Sequence, residues 1–220
     1  MSLLNEKDRD KLIDRFEGLN QPVKLIVFSQ VFECQYCRET RQIAEELAEL
    51  SPKISVAICD FVPDYEAVEA YQVDKIPAIA VVQDGQPPQD FGIRYYGVPA
   101  GYEFSSLIEN LVIVSRGDSG LSIKTRAWAA GLSEPVHLQV FVTPTCPYCP
   151  QAVILAHQFA MESDYIRADM VEATEFPHLA MKYNVMGVPR TVVNETIHLE
   201  GAAPEQVLVA RIEEAVAVDS

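Results

Sequence analysis

The chain has 220 residues, 49% hydrophobic and 22% charged, with a formal net charge of −15. That is enough apolar material for one large or two small cores, and it lacks the signature of disorder. A charge of this sign repels phosphate backbones and argues against nucleic acid as a partner. Apolar runs such as Leu25–Phe28 are far shorter than the ~20 residues of a membrane helix.

The opening segment MSLLNEKDRDKLIDRF is charged and amphipathic. It predicts a helix near 5–17 and has no apolar leader segment, which points to the cytoplasm. A short β-branched strand follows at 24–29 (KLIVFS), then CQYC at 34–37, which opens an amphipathic helix with Ile43, Leu47 and Leu50 on one face. A second strand is expected at 54–60, then a short helix, then Pro77 and an apolar strand at 78–83. A hairpin partner and a final helix complete the half. The loop DGQPPQDF at 84–91 and the linker SRGDSG at 115–120 carry the turn residues expected of connections.

The second half repeats the first. GLNQPVKL at 18–25 matches GLSEPVHL 113 residues later, CQYC matches CPYC at 146–149, and AYQVDKIP matches KYNVMGVP, so the proline follows the first cysteine by 43 residues in both. Gly97 and Gly201 sit alike near the last strand, as turn or bulge positions. The second-half elements are a helix near 119–130, strands at 137–142, 164–170 and 190–194, and a cysteine helix CPQAVILAHQFAM that is apolar all round. That helix is expected to bury a further face against another element, the other half being one candidate. Strands alternating with helices predict an α/β fold: two tandem units, 1–117 and 118–220, each a mixed sheet with helices on both faces and an antiparallel hairpin edge.

The cysteine spacing has a chemical reading. A cysteine at a helix start faces unpaired backbone N–H groups and the positive end of the dipole, which stabilise a thiolate. Two intervening residues place a second thiol one turn away. Cys34 and Cys146 are therefore expected to attack a substrate disulfide, and the more buried Cys37 and Cys149 to resolve the mixed disulfide. Pro147 suits the first helical turn, whereas Gln35 keeps its N–H, so the two sites should differ in potential. CPYC is taken as the substrate-facing site. Pro77 and Pro189 can adopt the cis form at modest energy, turning the backbone of Ile76 and Val188 toward the sulfurs to pair with an extended substrate. Proline also offers no metal ligand. A four-cysteine zinc site would need the two pairs to converge, yet each opens its own helix in its own repeat.

With these residues in view, the chain resembles the thioredoxin superfamily. More narrowly it resembles the protein disulfide oxidoreductases, the tandem glutaredoxin-like proteins of thermophiles, in PVKLIVF, RYYGVPAG, VFVTPTCPYCP and YNVMGVP. The resemblance implies dithiol–disulfide exchange on disulfide-containing proteins through Cys34–Cys37 and Cys146–Cys149, with no bound cofactor or metal. It also implies electrons from NADPH through a thioredoxin-reductase-like flavoenzyme. Two other readings are an electron carrier dedicated to a peroxiredoxin and a peptide-binding chaperone. Reductase, oxidase and isomerase share this chemistry, so direction is not legible.

The chain departs from thioredoxin in lacking Trp before the first cysteine, where it has Glu33 and Thr145. It also lacks a buried Asp six residues earlier, where it has Phe28 and Val140. Asp60, Asp169 and Glu33 are substitute proton acceptors, each weighed against, and second to, a solvated surface role. Cys59 reads as a buried core thiol. His137, His157, His178 and His198 have no metal spacing and read as surface or core. Trp128 reads as packing, and Tyr36 and Tyr148 as covering or shaping the helix starts.

Overall fold

A computed structural model describes residues 3–219. Helix α1 (Glu6–Phe16) is started and stopped by local chemistry: the Asn5 side chain accepts from Asp8 N, acids occupy the first turn and Arg15 the last. Strand β1 (Val23–Ser29) leads to α2 (Cys37–Ala48), β2 (Ile54–Asp60), α3 (Tyr65–Ala70), β3 (Ala78–Gln83), β4 (Gln89–Tyr96) and α4 (Glu103–Arg116). The second half runs α5 (Ile123–Ala129), β5 (Val136–Val142), α6 (Cys149–Ala160), β6 (Ile166–Glu172), α7 (Pro177–Lys182), β7 (Arg190–Val193), β8 (Ile197–Glu200) and α8 (Glu205–Asp219). Gly117 at φ 67° ends α4 in the left-handed cap that glycine favours.

Three predicted elements shift. The helix expected near 119–130 begins only at Ile123, because Asp118 and Ser119 side chains tie residues 120 and 121 into a turn and Ser122 caps the helix. The strand expected at 164–170 lies two residues later, in the register Val136↔Ile166 that β5 imposes. The loop expected at 84–91 ends early, since Gln89 already pairs with Gln83.

All eight strands form one sheet, in the order β2-β1-β3-β4-β6-β5-β7-β8. Sequence reading left the first hairpin as an antiparallel edge. Instead β4 pairs in parallel with β6, from Ile93↔Ala168 to Tyr96↔Val171, and welds the units together. Alternation along the strands sorts the core into two layers. Leu25 and Val27 face the layer under α2, α4 and α6; Ile26 and Phe28 face the layer under α3 and α7. Strands β1, β4, β5 and β6 all run the same way, so both cysteine motifs open on one edge of the sheet.

Candidate functional site

Each motif is a closed disulfide, Cys34–Cys37 and Cys146–Cys149, with Cα atoms 5.5 Å apart in both. The helices proper start at the second cysteine, not the first. Tyr36 and Tyr148 occupy the cap positions, and the first cysteine lies in the turn before them. The second cysteine is the more buried of each pair. The Ile76–Pro77 and Val188–Pro189 bonds are both cis. The Val188 carbonyl lies 3.7 Å from Cys146 Sγ.

The surroundings differ. At CQYC the backbone N–H of Gln30 donates to Cys37 Sγ at 3.4 Å. Cys34 is half-buried and, with Cys37, borders an open cavity of about 340 Å³ that Ile58, Arg38 and Asp60 also line. At CPYC the first sulfur is recessed, Cys146 being only 8% exposed. The loop before it is clasped by the first unit: Tyr102 N–H donates to the Pro144 carbonyl at 2.9 Å. A mainly apolar groove of about 580 Å³ runs beside this site between Tyr102, Pro147, Pro150 and Ile154, without touching either cysteine.

The position six residues before each first cysteine holds no acid. Phe28 is fully buried but faces the α3 layer, because the first unit has one extra residue before its cysteine. The position on the α2 face is Val27, matching Val140 in the second unit, and both are apolar. Glu103, in the first turn of α4 and next in sequence to Tyr102, is 1% exposed. Burial pushes its carboxyl up to about 7, against a hydrogen bond from Ser106. Its Oε1 is buried without a hydrogen-bond partner among the described residues. From Glu103 a line of buried polar groups continues through Ser106, Tyr95 and Asn110 to His157 Nδ1, the last link 2.6 Å. Burial lowers the His157 pKa to about 3, so that ring is neutral. Sequence reading missed Glu103 because a first-turn glutamate looks like ordinary helix-dipole complementarity.

Other expectations are corrected or located. Asp169, expected at a strand end and solvated, is fully buried inside β6. Burial alone would raise its pKa, but His137 Nε2 at 2.6 Å and Arg167 at 3.1 Å hold it well below the usual carboxylate range. It pairs opposite Gln139, well below the cysteine edge. Asp60 is half-buried at the cavity of the first site, and Glu33 is exposed. Cys59 is half-buried; burial, with Asp64, raises its pKa. Tyr148 is exposed and Tyr36 half-buried. Trp128 packs edge-on to Phe159. His178 is exposed, and His198 accepts from Arg190. Gly97 and Gly201 have positive φ directly after β4 and β8. Among the described residues, no group of three or more His, Cys, Asp or Glu is placed to hold a metal ion, and no helix is long and apolar enough to cross a membrane.

A family model described as "Thioredoxin domain" matches residues 136–214. The thioredoxin of Methanocaldococcus jannaschii is 33% identical over 78 residues, which are 35% of this chain and 92% of that protein. The chain belongs to the thioredoxin family. This thioredoxin-family chain superimposes with a TM-score of 0.90 on a protein disulfide oxidoreductase from Aeropyrum pernix, at 29% identity, covering 97% of this chain and 95% of that one. It is also 25% identical, over 151 residues, to an alkyl hydroperoxide reductase component of Staphylococcus epidermidis, a match that covers 69% of this chain and 26% of that protein. The chain spans between 25% and 37% of the length of its long curated relatives. The tandem thioredoxin-like architecture is shared with the Aeropyrum pernix protein over 97% of this chain, and this chain carries a disulfide-forming Cys-x-x-Cys site in each half. Chemically the arrangement stores and exchanges two electrons and two protons per site.

Proposed function

We propose that this chain is a protein disulfide oxidoreductase with two active sites, one in each of units 1–117 and 118–220. The observation that carries the reading is the pair of closed Cys-x-x-Cys disulfides, each at the start of a helix and in a unit with a cis-proline loop. In the reducing direction the Cys34 or Cys146 thiolate attacks a substrate sulfur, and the departing substrate thiolate takes a proton. Cys37 or Cys149 then attacks the mixed disulfide, which frees the second substrate thiol and closes the protein disulfide. Backbone groups of Ile76 and Val188, beside Pro77 and Pro189, bind the substrate as an added strand. At CPYC, Glu103 is the proposed proton-exchange partner of Cys149: it is buried in the first turn of α4, the helix that packs on the cysteine helix α6. Electrons enter from NADPH through a flavoenzyme, and the setting is the cytoplasm.

Insulin reduction by dithiothreitol tests this. The protein should accelerate it, and the double substitution Cys34→Ser with Cys146→Ser should abolish the acceleration. Persistence of activity in that variant would sink the proposal. The likeness to the alkyl hydroperoxide reductase component favours one second reading, delivery of electrons to a peroxide-reducing partner. A peroxiredoxin that outcompetes insulin for the reduced protein would select it.

A further inference from the structure

The two sites present different surfaces to a substrate. Ahead of Cys34, Val31 and Phe32 are 81% and 80% exposed. Single exposed apolar residues need no explanation, but a cluster rimmed by charge marks a contact surface. Here the cluster extends: Val62 is 71% exposed on the loop after β2. That loop is tied to the β1 end by the Phe61 N–H, which donates to the Ser29 carbonyl at 2.9 Å. Val31 and Ile58 enter the wall of the cavity that reaches the Cys34–Cys37 disulfide, with Arg38 and Asp60 at its border.

The same loop contains a residue in a disfavoured backbone conformation. Glu33, between Phe32 and Cys34, has φ 57°, a left-handed conformation that disfavours a side-chain-bearing residue. The second unit, one residue shorter here, lacks the feature. Its Pro144 is clasped by the α4 start, and the large exposed apolar residue nearest its cis-proline is Met186, where the first unit has Asp74. The exposed aliphatic and Phe side chains thus lie on the loop before the first cysteine in the CQYC site, whereas the CPYC site has Met186 on its cis-proline side and the groove of Pro147 and Pro150 beside its helix.

We infer that Val31, Phe32 and Val62 are specificity-determining residues that direct the CQYC site to disulfides flanked by apolar side chains in extended polypeptide. The occupant is an unfolded or partly unfolded protein segment, because disulfides with apolar neighbours are buried in folded proteins and surface only on unfolding. The cavity is at the small end of ligand pockets and takes one substrate side chain beside the reacting S–S bond. The exchange itself is the two-electron step already written, so the inference rests on the proposed oxidoreductase reading.

The test uses full-length chain with only CQYC intact (Cys146→Ser, Cys149→Ser), reduced with dithiothreitol and freed of it. It is mixed in excess with two synthetic peptide disulfides, one flanked by Leu and Phe, the other by Ser and Gln. Single-turnover rates should favour the apolar peptide by about tenfold, equivalent to about 1.4 kcal/mol. Adding Val31→Ser and Phe32→Ser should bring the ratio close to one, and Phe32→Leu alone should keep most of it. The ratio is internal to each variant, so a general loss of activity does not imitate the effect. A ratio near one in the parent, or an unchanged ratio in the serine variant, overturns the inference while reduction of hydroxyethyl disulfide leaves the redox reading standing. Failure to reduce even hydroxyethyl disulfide overturns the redox reading of this site, and the inference with it.

Discussion

Glu103 is a buried acid in the first turn of α4, the helix that packs on α6. Its carboxyl holds a proton up to about pH 7 in the folded chain, against an ordinary value of 4.5. The fold therefore binds that proton more tightly than the unfolded chain does. The Glu103 contribution to stability declines as pH rises from about 4.5 to about 7, and the penalty is complete above that. Replacing it by Gln removes the titration. Chemical denaturation of Glu103→Gln and parent at pH 5 and pH 8 should show the variant gaining on the parent, by up to roughly 3 kcal/mol. A difference independent of pH would contradict the buried, protonated carboxyl. Glu175 is raised to about 7 as well, by burial and by Glu172 and Glu39, but it titrates in both proteins and cancels. In a chain with only CPYC intact, the same substitution should alter the pH profile of disulfide reduction.

Among elements, the start of α4 and the loop before Cys146 are in close contact. Gly101 has φ +60°, and a Cβ there would meet the Pro144 carbonyl oxygen at 2.2 Å. Gly201 is a natural control: φ is +76°, but nothing lies within 4 Å of its Cβ direction. Gly201→Ala carries only the left-handed backbone penalty, about 1 kcal/mol. Gly101→Ala must also move backbone, and should be at least twice as destabilising, about 2–3 kcal/mol. Denaturant midpoints of the two variants check this, and equal losses would refute the joint. The same contact explains α6. Its apolar circumference made sense only with a second buried face, and α4 of the first unit covers that face beside Ala152, Val153 and Ala156.

At the scale of the molecule, the single sheet sets the distance between the sites. From β1 to β5 the order crosses β3, β4 and β6, which is four strand spacings, or about 19 Å. Sulfur-to-sulfur exchange requires contact, so in this rigid frame one site does not reduce the other directly. Electron redistribution between CQYC and CPYC should be bimolecular. A preparation reduced at one site only should equilibrate ten times more slowly after tenfold dilution. A rate independent of concentration would show that the frame opens.

The sequence by itself determined the duplicated unit, the strand cores and the pairing of cysteines with a proline 43 residues on. These are local or periodic signals, readable because helix and strand repeat at short range. Tertiary structure alone decided the rest. That β4 finds β6 depends on two segments separated by more than 70 residues meeting edge to edge, which alternation of apolar residues does not specify. Asp169 was read as a surface acid because charge alone argues for solvent, and Glu103 drew no reading; packing of β6 between β4 and β5, and of α4 over α6, took both out of water. Burial is a property of what lies on the far side of a residue, and part of that cover comes from the other half of the chain: β4 beside the β6 of Asp169, and α6 against the α4 of Glu103.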